Sequence, residues 1–146
     1  MKENDNLYIF FKNLDRALFI ENESSRVLAS LDHALPIEHG QTISQPSLVY
    51  SMTKWLDLSK THKVLEIGTG TGYQTCFLSE FAGEVFTVEL IEELSVKAKK
   101  RLESMGYKNI RYKVGDGSYG WEENSPYDRI IVTAAAGKIP EPLIEQ

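Results

Sequence analysis

Near the start of the chain, apolar residues fall at Leu7, Phe10, Phe11, Leu14 and Leu18. That is the spacing of one helical face, and it predicts a helix over residues 6–20 with Asn6 as its cap. The polar residues 21–26 break the pattern. Residues 35–44 are too punctuated by glycine and proline for a regular element and read as an ordered loop. Pro46 then opens a second helix carrying Leu48, Val49, Met52, Trp55 and Leu56. After Leu58 the rhythm changes. Lys63 to Ile67 is a β-branched and leucine run followed at once by Gly68-Thr69-Gly70-Thr71-Gly72, and a helix then carries Cys76, Phe77, Leu78 and Phe81. Residues 85–90 form a second strand. Residues 91–105 form an amphipathic helix with Ile91, Leu94, Ala98, Leu102 and Met105 on one face, stopped by Gly106. Residues 110–114 and 129–133 supply two more strands. Strands and helices alternating in this way imply parallel pairing, so the predicted fold is α/β, doubly wound and mostly parallel, with a helical N-terminal extension.

Composition narrows the function classes. The 146 residues have room for one domain, and 42% apolar residues are enough for a core. A net charge of −5 argues against a nucleic-acid coat or a membrane-binding basic patch. The single cysteine, Cys76, excludes a disulfide framework and a cysteine-rich zinc module, and no metal site is expected. No apolar run is long enough to cross a bilayer, and the acidic opening Met1-Lys2-Glu3-Asn4-Asp5 is unlike a secretory signal. A soluble, cytoplasmic domain without nucleic-acid or membrane partners is expected.

In such folds ligands sit beyond the carboxyl ends of the strands. The first strand ends in a Gly-x-Gly-x-Gly turn at Gly68, Gly70 and Gly72, where backbone can approach a ligand unhindered by Cβ atoms. A dinucleotide fingerprint would need glycine at the position of Tyr73. Glu66, just before the turn, would repel a pyrophosphate but attract an ammonium or sulfonium. Glu89, at the end of the second strand, is placed to accept hydrogen bonds from ribose hydroxyls, or is simply a solvated strand-end carboxylate. Asp116, in the turn Gly115-Asp116-Gly117, could accept from an adenine amine or could bond its own backbone. Together the three strand ends describe a site for adenosine, ribose and an amino-acid tail, which is S-adenosylmethionine.

Longer stretches then resemble one family, the protein-L-isoaspartate O-methyltransferases. Leu35-Pro36-Ile37-Glu38-His39-Gly40-Gln41-Thr42-Ile43-Ser44-Gln45-Pro46 is similar to its signature loop, and Val64 to Gln74 to its cofactor loop. Gly115-Asp116-Gly117 with Gly120-Trp121, the run Pro126-Tyr127-Asp128-Arg129-Ile130-Ile131-Val132-Thr133-Ala134-Ala135-Ala136, and Ile139-Pro140-Glu141-Pro142-Leu143 fit as well. The family usually has glycine where this chain has Glu38. The resemblance stops at Gln146, where members continue through further strands. On this basis residues 1–60 are the helical extension and signature loop, and residues 61–146 are the N-terminal half of the α/β core.

The resemblance implies a class I, Rossmann-like transferase that repairs proteins. It would move the methyl of S-adenosylmethionine to the free carboxylate of an isoaspartyl residue. A carboxylate with a pKa near ~4 is already ionised, so no general base is needed, and His33 and His39 are read as loop residues. What remains is excluding water and aligning oxygen, methyl and sulfur. The resemblance makes Ser44 the catalytic residue that orients the substrate carboxylate; its other role would be to cap the helix at Pro46. Gln41, Thr42, Ile43 and Ser44 would line the methyl-donating end of the cofactor, and Glu66, Gly68, Gly70, Gly72, Glu89, Asp116 and Gly117 would hold the rest. Tyr73 and Trp121 are read as packing residues.

Rival activities lack their marks. After the fourth strand an amino-methyltransferase of nucleic acids would carry an Asp/Asn-Pro-Pro-aromatic run, and a cytosine-carbon methyltransferase a cysteine; this chain has Thr133-Ala134-Ala135-Ala136. The remaining alternative is a catalytically weak fragment that self-associates through a fourth strand left uncovered at Ile130 and Val132.

Overall fold

The computed structural model describes residues 5–146; residues 1–4, part of the acidic opening, lie outside the described residues. The chain divides into two compact units, Met1–Asp57 and Leu58–Gln146.

The first unit begins with α1 (Asn6–Asn13), capped by Asp5, whose carboxylate accepts from the Leu7 amide at 3.0 Å. The helix ends well short of residue 20. Asp15 accepts from the Ala17 amide and starts a separate 3-10 turn, Arg16–Phe19, which leaves Leu18 exposed and buries Arg16 and Phe19. An aspartate that bonds its own following amides competes with helix continuation, which is why the apolar spacing overran. Residues 21–26 are also more regular than their polarity suggested, because Asn22 caps the short α2 (Glu23–Arg26). The 35–44 segment is an ordered excursion. β1 (Leu35–Pro36) pairs antiparallel with β2 (Thr42–Ile43) around a 3-10 turn at Glu38–Gly40. His39 and Gly40 take the positive φ values there, so Glu38 is accommodated without one. α3 (Pro46–Leu56) buries Val49, Tyr50 and Thr53, while Trp55 and Leu48 are exposed. The Tyr50 ring meets Phe11 at 5.1 Å and Tyr8 edge-on at 6.2 Å.

The second unit is a four-stranded parallel sheet in the order β5-β4-β3-β6, built from β3 (Lys63–Ile67), β4 (Glu84–Glu89), β5 (Ile110–Val114) and β6 (Arg129–Val132). α4 (Tyr73–Phe81) joins β3 to β4 and α5 (Glu92–Ser104) joins β4 to β5. Both crossovers step the same way along the sheet, so right-handed connections put both helices on one face. Two contacts fit that placement. Thr75 of α4 bonds Glu66 of β3, and the Lys99 ammonium of α5 lies over the Tyr112 ring of β5. The opposite face carries Leu65, Ile67, Phe86 and Val88. It is covered by Leu143 of the short α6 (Glu141–Glu145), with Trp121, Tyr127, Ile130 and Val132 packed around it. Ile130 and Val132 thus spend their side chains in this cluster. β6 is an outer strand of the sheet, paired through β3 from Val64↔Arg129 to Ile67↔Val132. No helix among the described residues is long and apolar enough to cross a membrane.

Candidate active site

The carboxyl ends of the strands are level. Beyond β3 the Gly68 amide donates to the Val88 carbonyl at 2.8 Å, beyond β5 the Gly115 amide donates to Glu89, and beyond β6 the Thr133 amide donates to Ile67. Each turn that follows therefore starts from the same edge. Gly68, Gly70 and Gly72 all have positive φ, of 99°, 54° and 88°, but they serve different ends. A Cβ on Gly68 would lie 2.8 Å from the Thr133 hydroxyl and 3.1 Å from the Ala134 amide nitrogen. One on Gly72 would meet Leu102 of α5 at 3.0 Å. At Gly70 nothing among the described residues lies within 4 Å. The outer glycines are packing positions, and the middle one faces open space.

Four side chains hold this turn. The Thr133 hydroxyl donates to the Gly68 carbonyl at 2.6 Å, with the Ile67 carbonyl 3.0 Å away as its second possible acceptor. Arg101 donates to the Thr71 carbonyl at 2.7 Å. The Glu89 carboxylate accepts from the Gly70 amide on one oxygen (2.8 Å) and from the Ile91 amide on the other (2.9 Å), so this buried side chain bridges the glycine turn and the start of α5. Glu66 acts from beneath. It is fully buried, and its Oε1 accepts from Thr75 at 2.5 Å and from Thr87 at 2.6 Å. The Thr87 hydroxyl has one proton, which goes to Glu66, so the 2.6 Å contact between Thr69 and Thr87 has Thr69 as donor. A relay thus runs from the turn through Thr87 to Glu66. Among the described residues Oε2 of Glu66 has no hydrogen-bond partner, and burial raises the pKa to about 7 against the two hydroxyl donors that oppose it. The direct ionic contact expected between Glu66 and a cationic ligand does not fit this burial; Glu66 supports the turn instead.

At the third strand end, Asp116 is exposed. Its Oδ1 accepts from the amide and the hydroxyl of Ser118, which together lower its pKa. Gly117 lies against β3, since a Cβ there would come within 2.3 Å of the Ile67 Cγ2. Glu66, Gly68, Gly70, Gly72, Glu89, Asp116 and Gly117 are thus brought to one end of one sheet.

Gln41, Thr42, Ile43 and Ser44 lie in the N-terminal unit. Gln41 and Thr42 are exposed, Ile43 is buried and Ser44 is half-buried. Ser44 does not cap α3. The cap position is Gln45, and Asp32 does the capping by accepting from the Ser47 amide at 2.9 Å and from the Gln45 side chain at 3.1 Å. The Ser44 hydroxyl has no hydrogen bond among the described residues, while its carbonyl accepts from Arg16 at 3.0 Å. Sequence reasoning missed Arg16, Asp32, Thr87 and Thr133. Each acts by bonding backbone or another side chain far along the chain, which no local spacing reveals.

The sequence model of the protein-L-isoaspartate(D-aspartate) O-methyltransferase family matches residues 1–146. The protein-L-isoaspartate O-methyltransferase of Dictyoglomus turgidum is 59% identical over 131 residues, covering 90% of this chain and 59% of that relative. Its namesake 1 from Nitrosospira multiformis is 54% identical over 120 residues, covering 82% and 51% respectively. A solved protein-L-isoaspartate O-methyltransferase superposes with a TM-score of 0.85 at 33% identity, covering 97% of this chain and 47% of that one. A Plasmodium falciparum protein solved in complex with S-adenosyl-L-homocysteine shares the fold, with a TM-score of 0.77 at 21% identity, covering 99% of this chain and 72% of that one. The chain spans about three-fifths of the length of the Dictyoglomus turgidum relative. On the family match and these identities, the chain belongs to the protein-L-isoaspartate(D-aspartate) O-methyltransferase family.

Proposed function

We propose that the chain binds S-adenosylmethionine at the glycine turn and takes part in methylating the free carboxylate of isoaspartyl residues in damaged proteins. The observation that carries the binding reading is the open space at Gly70, beside an amide already held by Glu89. A carboxylate has about four acceptor positions, and Glu89 spends two of them on the Gly70 and Ile91 amides. The others are left for the hydroxyls of a ribose. The Asp116 turn would meet the base, while Gln41, Thr42 and Ile43 would line the reacting end. Glu66 supports the turn through Thr75, Thr87 and Thr69. Membership of the family supports the choice of cofactor and substrate.

When bound, the cofactor supplies a methyl group on a sulfonium. A substrate carboxylate held in line with that methyl would accept it. A cation and an anion become a neutral ester and a neutral thioether, so low polarity around the reacting atoms favours the reaction. No proton moves, and the protein's task is placement. Ser44, whose hydroxyl is uncommitted because Asp32 caps α3, would donate to the substrate carboxylate and fix its direction. Cytoplasmic location belongs to the same proposal, as does the absence of nucleic-acid partners, which the net charge of −5 supports.

The test is transfer of labelled methyl to matched peptides that differ only in an isoaspartyl or an aspartyl linkage. Label on the isoaspartyl peptide alone is expected. Ser44→Ala should lose that transfer and still bind S-adenosylhomocysteine in a titration. Equal labelling of both peptides, or binding without transfer, would reject the substrate assignment; no binding would reject the cofactor site.

A further inference from the structure

We infer that Arg16 is the positioning residue of the loop that carries Ser44, and through it sets where the substrate carboxylate is held; the inference rests on the role proposed for Ser44. Arg16 is an unusual residue to find 4% exposed. Its guanidinium is spent on backbone carbonyls from two separate segments. Nη1 donates to Ala29 at 3.3 Å and to Leu31 at 3.2 Å. Nη2 donates to His33 at 2.6 Å, Ile43 at 3.3 Å and Ser44 at 3.0 Å. The group therefore joins the chain entering the loop, residues 29–33, to the chain leaving it, residues 43–44.

That choice of residue has a physical reason. Arginine keeps its charge at every working pH and presents its donors in a rigid planar fork. Bonds from an ionised donor are about twice as strong as neutral ones. The two-residue ladder between β1 and β2 is too short to fix the loop by itself. The tip of the loop turns through His39 and Gly40, both at positive φ. Arg16 holds the carbonyls of Ile43 and Ser44, the peptide units on either side of the Ser44 Cα, and so limits where its hydroxyl can lie. Asp32 fixes the next stretch at Gln45 and Ser47, which leaves the Ser44 side chain between two anchored segments.

Lysine keeps the charge but donates from a single point and cannot span both segments; methionine keeps the bulk and loses the donors. The experiment compares Arg16→Lys and Arg16→Met with the wild type in three measurements. These are titration with S-adenosylhomocysteine alongside urea unfolding, amide exchange of residues 42–45, and kcat and KM on the isoaspartyl peptide. In Arg16→Lys, cofactor affinity should stay within about twofold while exchange in residues 42–45 rises about tenfold and that in Lys63–Ile67 does not change. Its kcat/KM should fall about tenfold, chiefly through KM, with a larger fall in Arg16→Met. Unchanged exchange and kcat/KM would overturn the inference. So would losses that follow the unfolded fraction in both variants, since Arg16 would then be a general stability residue. A wild type that transfers no methyl would refute the proposed function alone, and the exchange data would still decide whether Arg16 orders the loop.

Discussion

Replacing Gly68 and Gly70 one at a time by alanine separates packing from ligand space within a single turn. Both residues have positive φ, of 99° and 54°, so either alanine carries a backbone penalty of about 1–2 kcal/mol. Gly68→Ala adds a clash, because its Cβ would lie 2.8 Å from the Thr133 hydroxyl and 3.1 Å from the Ala134 amide nitrogen. Overpacking of this kind costs about 1–3 kcal/mol, which brings the total to about 2–5 kcal/mol. A domain of this size has about 5–15 kcal/mol of stability, so that loss is large. Gly70→Ala has no atom within 4 Å of its Cβ and should lose only the backbone part. The order reverses for binding. The Gly70 methyl would enter the proposed ligand space, where the same overpacking cost of about 1–3 kcal/mol corresponds to about 5- to 160-fold in affinity. Urea unfolding and titration with S-adenosylhomocysteine read the two effects separately. Equal destabilisation by the two alanines would refute the packing argument, and wild-type affinity in Gly70→Ala would refute the placement of the ligand.

The Glu66 carboxyl gives a pH dependence of definite sign. Burial raises its pKa from 4.5 to about 7, so the folded protein holds that proton more tightly than the unfolded chain. The resulting stability is full below about pH 4.5 and is lost as pH rises through 7, a change of about 3 kcal/mol. Glu66→Gln should flatten this slope, and parallel urea midpoints for the two proteins at pH 5 and pH 8 would refute it. Thr133→Val removes the donor to the Gly68 carbonyl, whereas the Ile67 carbonyl keeps the Thr133 amide. It should cost about 1 kcal/mol, with Thr133→Ser close to wild type, and equal midpoints for the two variants would show that the hydroxyl does not anchor the turn.

Much of the fold was legible because the strands are short, rich in β-branched residues and separated by glycine turns. Lys63–Ile67 and Ile110–Val114 stand as read, and the other strands shift by a residue at their ends. The N-terminal helices were less legible. Leu14 and Leu18 continue the apolar spacing of α1, but Asp15 satisfies its own downstream amide and restarts the chain as a 3-10 turn. In α3, Trp55 was read with the apolar residues of the helix, and Thr53 was not singled out. Trp55 is exposed and Thr53 buried, because the Thr53 hydroxyl donates to the Val49 carbonyl at 2.7 Å and so enters the core with its donor satisfied.

The candidate site shows where residue identity stops being informative. Its glycines and carboxylates could be picked out because few residue types can make a tight turn or hold a charge at a strand end. Glu66 was picked out for the wrong contact, although strand parity already bore on it: it shares its face with Val64, the face that α4 covers, and cannot point past the carboxyl end of β3. Arg16, Asp32 and Thr133 left no such trace. Their partners are mostly backbone amides and carbonyls, which every residue carries, so the sequence at the receiving end holds little complementary signal. Whether a serine before a helix is its cap shows only when the residue that takes the cap is seen. At α3 that residue is Asp32, thirteen residues upstream of Gln45, and not Ser44.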